Sequence, residues 1–284
     1  MGRATDRRSV LRIDLDAADD ARVALRRPDT LAVEEPLEIR VGPGGPGRRR
    51  PLAVTMRTPG DDLDLAIGFL LTEGLIRGDA DVHTAQLCSG VETPNTYNVV
   101  DVVLSPGVPA PATDPARNFY TTSSCGVCGK ASIDAIRTRS RFTVTDDPLT
   151  VPAKLLAELP DRLRAAQRAF DRTGGLHAAG LFTPDGELVV LREDVGRHNA
   201  VDKVVGWAVR QRRLPLSGHL LMVSGRASFE LTQKAWMAGL PLLAAVSAPS
   251  TLAADLADEA GLTLVGFLRG RTMNVYTGTH RVTP

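Results

Sequence analysis

Apolar and polar residues alternate along several short stretches of the chain, and this period-two pattern predicts β-strands. Alternating stretches at 37–41 and 52–56 flank a loop rich in glycine and proline, which predicts a hairpin. A second hairpin is predicted where residues 178–181 and 188–191 flank Pro184-Asp185-Gly186. The strands of both hairpins should run antiparallel.

Helical spacing of apolar residues appears between these strands. The leucines and isoleucine that follow Gly60-Asp61-Asp62 predict an amphipathic helix opened by acidic caps. Thr150-Val151-Pro152 predicts the start of a long helix that reaches roughly Phe170. Residues 1–28, which are rich in arginine and aspartate, predict a loose tail or an edge element.

The last third of the chain alternates strands and helices with short loops between them. Such alternation implies parallel strands joined by right-handed crossovers. The predicted order of strands and helices is strand 219–223, helix 227–239, strand 242–246, helix 251–260 and strand 262–267.

These elements predict an α/β protein with three parts. Residues 1–28 form a variable tail, and 29–118 form a β-rich N-terminal portion. Residues 119–284 form a three-layer α/β/α domain that carries a Cys-x-x-Cys loop at its start.

Composition excludes several classes of function. The chain has 284 residues, of which 43% are hydrophobic and 24% charged, and its formal net charge is +1. No overall field therefore favours nucleic acid or an anionic membrane. No apolar run approaches the roughly 20 residues needed to span a bilayer, and the N-terminus does not resemble a secretion signal. We expect a cytoplasmic protein without nucleic-acid or membrane partners.

The chain has three cysteines, two of which form Cys125-Gly126-Val127-Cys128. In a reducing compartment such a pair is typical of a catalytic or metal-binding site rather than a structural disulfide. The thiol pKa falls near helix N-termini and in this spacing, and Lys130 lies close in sequence. A surrounding loop of serine, threonine and glycine could carry a sulfur atom between sites.

Zinc is the main alternative use of this cysteine pair, and a thioredoxin-like oxidoreductase is another. A structural zinc site needs four ligands, whereas this chain adds only the distant Cys88 and five scattered histidines. Zinc deaminases pair Cys-x-x-Cys with an upstream His-x-Glu, which is absent here. We therefore expect no metal site. Cys88 is interpreted as a small core residue.

Three loops should meet at the carboxyl edge of the predicted parallel sheet, where ligands of such sheets bind. Two of them open helices, so they offer free backbone N–H groups to an anion. Arginines in these loops could add bidentate phosphate contacts. The sequence thus predicts a site for a phosphorylated, nucleotide-bearing ligand. The residues in these loops are Ser224, Gly225, Arg226 and Ser228, then residues 247–251, then Phe267, Leu268, Arg269, Gly270, Arg271 and Thr272.

A further stretch, residues 192–203, is dense in charged residues at a strand-to-helix turn. His198 could relay protons or contact the ligand. A buried salt-bridge network that locks the turn is an equal alternative. The pattern leaves both readings open.

Four stretches together resemble the formate dehydrogenase accessory sulfurtransferases (FdhD). These are residues 124–129, 192–203, 224–230 and 266–276. The resemblance implies that Cys125 accepts persulfide sulfur from a cysteine desulfurase while Cys128 assists. It also implies that residues 267–272 bind the bis(molybdopterin guanine dinucleotide) form of a molybdenum or tungsten cofactor.

In such proteins the cofactor is a bound substrate, with no permanent prosthetic group. The sulfur would reach it before its insertion into the formate dehydrogenase apoenzyme. The family resemblance further implies a cytidine-deaminase-like fold without its zinc, and a possible homodimer. Two alternatives stay open, namely a non-catalytic chaperone for the same cofactor and a zinc-binding interaction module. The sequence leaves undetermined the client's metal, the identity of the desulfurase and the order of transfer between the cysteines.

Overall fold

The computed structural model of the chain describes residues 3–16, 24–45, 48–88, 97–111, 119–121 and 140–284, with residues 119–121 described for their backbone only. Within these ranges the protein is a mixed α/β structure, which confirms the predicted class. No helix among the described residues is both long and apolar enough to cross a bilayer.

The strands of the described residues form two larger sheets and two small ones. A five-stranded sheet has the order β5-β6-β3-β4-β7, and a six-stranded sheet has the order β10-β9-β11-β12-β13-β14. The strands are β1 Thr5–Ile13, β2 Ala24–Ala32, β3 Glu35–Gly42, β4 Arg50–Arg57, β5 Val82–Cys88, β6 Val99–Leu104, β7 Phe119–Thr121, β8 Val151–Pro152, β9 His177–Phe182, β10 Leu188–Asp194, β11 Leu220–Val223, β12 Leu242–Ala245, β13 Thr263–Arg269, β14 Thr272–Thr277 and β15 Val282–Thr283.

Six α-helices accompany these strands in the described ranges. Helices α1 and α4 pack against each other, and α5 contacts α6. The helices are α1 Asp62–Thr72, α2 Ala153–Ala166, α3 Arg168–Thr173, α4 Arg197–Arg210, α5 Phe229–Met237 and α6 Thr251–Ala260.

Both predicted hairpins are confirmed, since β3 pairs antiparallel with β4 and β9 with β10. The parallel pairing of β11, β12 and β13 is also confirmed. Strand β9 runs antiparallel to β11, and β10 runs antiparallel to β9. Strand β10 is therefore parallel to β11, so the carboxyl ends of β10, β11, β12 and β13 lie at one edge of the sheet.

Alternation along β9 shows how the six-stranded sheet is covered. Ala179 and Leu181 join a core cluster with residues of α1, α4, α5 and α6, whereas Ala178 and Phe182 join a second cluster with α2. Helices thus cover both faces of the sheet. The first cluster extends to inward-facing residues of the five-stranded sheet such as Ile39, so the N-terminal portion shares one core with the C-terminal part.

Helix α1 departs from the predicted amphipathic helix with acidic caps. Ten of its eleven residues are buried, because it is enclosed between α4 and the five-stranded sheet. Asp61 precedes it with a left-handed φ of 55° and makes no capping hydrogen bond through its side chain. The acids of the first turn instead form ion pairs, Asp62 with Arg57 at 2.9 Å and Asp64 with Arg192 at 2.8 Å.

Two glycines allow α1 and α4 to approach closely. A Cβ added to Gly68 would lie 1.8 Å from the carbonyl oxygen of Asp202, and one added to Gly206 would lie 1.8 Å from that of Asp64. Only glycine leaves room for backbone on both sides of this crossing.

The helix predicted to run from residue 152 to Phe170 is two helices. The chain leaves helical geometry at Gln167, and a new helix begins at Arg168. The carboxylate of Glu193 accepts hydrogen bonds from the backbone N–H groups of Ala169 and Phe170, at 2.9 and 2.7 Å. A residue from a distant strand therefore caps the second helix, which no local pattern reveals.

The N-terminal residues form an element of their own. Strands β1 and β2 pair antiparallel from Thr5–Ala32 to Ile13–Ala24 as a two-stranded sheet, and β2 contacts α3. The alternative of a loose tail is therefore wrong for residues 5–13 and 24–28. The three domain boundaries, and the likeness to cytidine deaminases, stay predictions.

Candidate functional site

The three predicted loops do meet, and backbone hydrogen bonds join them. Ser247 N donates to Gly225 O at 3.2 Å, and Ser250 N donates to Ala227 O at 3.1 Å. Phe267 N in turn donates to Ser247 O at 3.2 Å. We call residues 224–228, 247–251 and 267–272 the loop edge. It lies at the carboxyl ends of β11, β12 and β13, where α/β sheets bind ligands.

Three helices direct their N-termini towards this edge of the sheet. Helix α4 follows β10, α5 follows β11 and α6 follows β12. Ser228 caps α5 by accepting from Leu231 N, and Ser250 caps α6 by accepting from Ala253 N at 3.2 Å. Their free N–H groups and dipoles favour an anion at this edge.

Phe267 has an unusual backbone conformation at the loop edge. Its φ is +51°, in the left-handed region, at an irregularity where β13 and β14 lose register. The residue is 39% exposed, and the Arg269 guanidinium lies 5.8 Å from the centroid of its ring. A bulky residue in this conformation is strained, and such strain concentrates at functional sites.

The other predicted residues of this segment differ in their surroundings. Leu268 is fully buried in the core beside α2, so its side chain serves packing. Arg269 Nε donates to Val246 O at 2.9 Å, which ties the segment to the next loop. Gly270, with φ +54°, makes the tight turn, and Arg271 and Thr272 are exposed beyond it. The loop edge thus presents arginine and backbone rather than a closed pocket.

Some residues at the start of the loop edge stabilise the fold, whereas others face the solvent. Ser224 Oγ accepts from Ala178 N at 2.9 Å and so fixes the loop to β9. Gly225 faces the ring of His177, and Arg226 is exposed. Arg226 is therefore the side chain in this loop with freedom to reach a ligand.

The charged stretch at 192–203 contains a buried network of ion pairs and hydrogen bonds. We call its residues Asp194, Asn199 and Lys203 the inner group. Asp194 and Lys203 are almost completely buried and lie 2.7 Å apart. Asp194 also accepts from Gly196 N at 2.8 Å and from Asn199 Nδ2 at 3.0 Å. Lys203 Nζ donates to Thr58 O at 2.9 Å, which joins the turn to the end of β4. For these residues, the structure supports the interpretation as a buried salt-bridge network.

Arg197 and His198 lie instead at the partly buried start of α4, near His177 of β9. We call these three residues the edge group. His198 Nε2 lies 3.8 Å from a carboxylate oxygen of Glu230, in the first turn of α5. This imidazole holds the pKa of Glu230 down to about 2, against the opposing effect of burial. His198 therefore stands between two of the helix N-termini at the sheet edge.

His177 is the residue that the sequence reasoning missed. As the first residue of β9 it pairs with Asp194 in register, and its Nδ1 lies 3.5 Å from where a Cβ on Gly225 would be. It lines a cavity of about 610 Å³ together with Ser224 and Val246. The lone histidine has no motif around it, and only strand register brings it to the loop edge.

Cys125 and Cys128 lie outside the described residues, so their predicted role stays a prediction. Cys88 lies at the end of β5, where it is half-buried rather than in the core. Burial and the nearby Asp101 raise the pKa of its thiol, which makes it a poor nucleophile. Among the residues that the structure describes, no three His, Cys, Asp or Glu side chains converge as a metal site would require.

Comparison with known proteins adds a family assignment to this geometry. The chain matches the model of the FdhD/NarQ family over residues 32–283. It is 62% identical to the sulfur carrier protein FdhD of Streptomyces coelicolor over 99% of this chain and 97% of that relative. It is 56% identical to the protein of the same name from Mycobacterium tuberculosis over the full length of both chains.

A solved structure agrees with the fold. A crystal structure of a proposed formate dehydrogenase accessory protein from Desulfotalea psychrophila superposes with a TM-score of 0.72. The superposition covers 99% of this chain and all of the other, at 21% identity. At this identity the likeness concerns the fold alone.

Proposed function

The chain belongs to the FdhD/NarQ family, and we propose that it is a sulfurtransferase that carries sulfur as a persulfide on Cys125. It takes the sulfur from a cysteine desulfurase. It delivers it to a bis(molybdopterin guanine dinucleotide) cofactor of molybdenum or tungsten, before that cofactor enters formate dehydrogenase. Cys128 assists the release.

The observation that carries this proposal is the end-to-end identity with relatives named as sulfur carriers. The loop edge supports the cofactor half of it, since three helix N-termini and the loop arginines suit the phosphates of a dinucleotide. A carrier without a phosphate site would not need this edge.

The chemistry of loading is a thiol exchange. The Cys125 thiolate attacks the outer sulfur of the donor's cysteine persulfide. A new S–S bond forms at Cys125 as the donor's S–S bond breaks, and the donor leaves as a thiolate. No electrons are gained or lost overall, so no redox cofactor is required.

Release uses the second cysteine. The Cys128 thiolate attacks Cys125 Sγ, which forms a Cys125–Cys128 disulfide and expels the outer sulfur as hydrosulfide towards the cofactor metal. A dithiol reductant then reopens the disulfide for another cycle. This step gives Cys128 a role that loading does not need.

The test is intact-protein mass spectrometry after incubation with an active cysteine desulfurase and cysteine. Wild type should gain one sulfur atom that a thiol reductant removes. The gain should be lost in Cys125→Ala and kept in Cys128→Ala, which can load but not release. Cys88→Ala is the matched control, because its half-buried thiol has a raised pKa and should not take part.

Other outcomes separate the alternatives. No added sulfur on wild type, together with binding of the cofactor, would favour the non-catalytic chaperone. Stoichiometric zinc in the purified protein, and loss of structure with a chelator, would favour the interaction module. Either result would contradict the persulfide proposal.

A further inference from the structure

The cavity beside the loop edge contains a titratable side chain, His177. Neither core packing nor the proposed sulfur chemistry explains its position. His177 lines this cavity of about 610 Å³, a size typical of small-molecule sites. Its ring faces Gly225, where the missing Cβ leaves room next to the N-terminal approach of α5. A ligand phosphate bound at that helix start would lie close to the imidazole.

Charged groups surround His177 on several elements. From α4, Arg197 and His198 act on it, and from β10 the paired Asp194 acts in the opposite direction. Asp194 is already engaged by Lys203 at 2.7 Å. From α2, Asp161 and Arg164 line the same cavity, and Arg164 forms an ion pair with Asp171 of α3.

These surroundings disfavour the protonated form of the His177 imidazole. Burial, followed by the positive charges of Arg197 and His198, lowers the pKa of His177. An anion placed in the cavity would reverse that electrostatic balance, because a nearby negative charge favours the protonated form. The two states of the site therefore differ in their affinity for a proton.

We propose that His177 is a proton-coupled ligand residue: when a phosphorylated ligand binds at the loop edge, the His177 imidazole takes up one proton from solvent and hydrogen-bonds the phosphate as an imidazolium. The inference rests on the proposed function, since it requires that the loop edge binds phosphate. It adds a residue and a regulation to that site, because binding becomes sensitive to pH near neutrality.

The direction of the pH effect follows from linkage. The pKa of His177 is higher in the complex than in the free protein, so lower pH strengthens binding. Between the two pKa values the affinity should change by at most about tenfold per pH unit. The gain is complete below the free pKa and absent above the pKa of the complex.

The experiment is an NMR titration of the full-length protein with labelled histidine, with and without saturating inorganic pyrophosphate as the probe. The signal that His177→Gln removes should titrate at a pKa about one unit higher when pyrophosphate is bound. In His177→Gln, the additional strengthening of pyrophosphate binding at low pH should disappear. His219→Gln is the control, because His219 lies at the opposite end of β11 and should leave both results unchanged.

Two results would overturn the inference, and only the second would also affect the proposed function. If pyrophosphate binds but the pKa of His177 stays the same or falls, proton coupling is wrong while the phosphate site stands. If pyrophosphate does not bind to wild type, the phosphate part of the proposed function fails as well. Sulfur loading of Cys125 is measured separately and would be unaffected by either result. Because the key readout uses wild type, a folding defect in His177→Gln would not hide the answer.

Discussion

The inner group lies within a few residues of Arg197 and His198 of the edge group, around the start of α4, yet the surroundings of the two groups differ. Asp194 and Lys203 are buried and mutually neutralised, with hydrogen bonds to the end of β4. Arg197 and His198 lie at the partly exposed helix start, next to α5 and β9. The charged stretch therefore has two roles, because Asp194, Asn199 and Lys203 point into the core whereas His198 faces Glu230 of α5. Residues that are neighbours in this charged stretch therefore differ in role according to the side of α4 on which they lie.

The largest expected effect comes from breaking the inner group. Asp194→Ala leaves the Lys203 ammonium buried without its carboxylate and removes the acceptor for Gly196 N and Asn199 Nδ2. We expect the free energy of unfolding to fall by about 3–5 kcal/mol in urea denaturation. Asp185→Ala, in the exposed hairpin turn, should change it by less than about 0.5 kcal/mol. A similar, small effect of both substitutions would show that the pair is not a structural lock.

The next effect comes from the crossing of α1 and α4. Gly206→Ala places a methyl group 1.8 Å from the Asp64 carbonyl oxygen, so the helices must separate. We expect a loss of about 3 kcal/mol in the free energy of unfolding. Gly44→Ala, where the new methyl would meet only a Val103 side-chain carbon at 3.7 Å, is the matched control. Equal stability of the two variants would contradict the close crossing.

The smallest effect on stability should come from the edge group. His198→Gln should lower the free energy of unfolding by about 1–2 kcal/mol, less than the two substitutions above, because the imidazole lies 3.8 Å from the Glu230 carboxylate and solvent still screens the partly buried pair. The pKa of Glu230 should rise from about 2 towards its ordinary value of 4.5, measured by carbon NMR. An unchanged Glu230 pKa would disprove the His198–Glu230 interaction.

The same pair has a pH signature in the wild type. The depressed pKa of Glu230 contributes stability that is present above about 4.5 and is lost as the pH falls towards about 2. His198→Gln should therefore flatten the acid limb of the stability profile in that window. An acid limb as steep as that of wild type would assign it to other carboxylates.

The strands and the convergence of the three loops could be predicted from sequence, because alternation and short βα connections are local signals. Leu268, in contrast, lies in the core although its neighbours are exposed, since the strand alternates there. The break at Gln167 depends on Glu193, and the position of His177 depends on the register of β9, so neither has a local signal. These features depend on residues that are distant in sequence, so the pattern within one segment cannot predict them.

Transfer of sulfur through Cys125 can be followed directly with labelled sulfur. The protein is loaded with radiolabelled sulfur by a cysteine desulfurase, separated from it, and mixed with unsulfurated bis(molybdopterin guanine dinucleotide) cofactor, a dithiol reductant and formate dehydrogenase apoenzyme. We predict that the label moves to the cofactor and that formate dehydrogenase activity appears, in Cys88→Ala as in wild type but not in Cys125→Ala. Label that stays on the protein, or activity that Cys125→Ala supports equally, would contradict it.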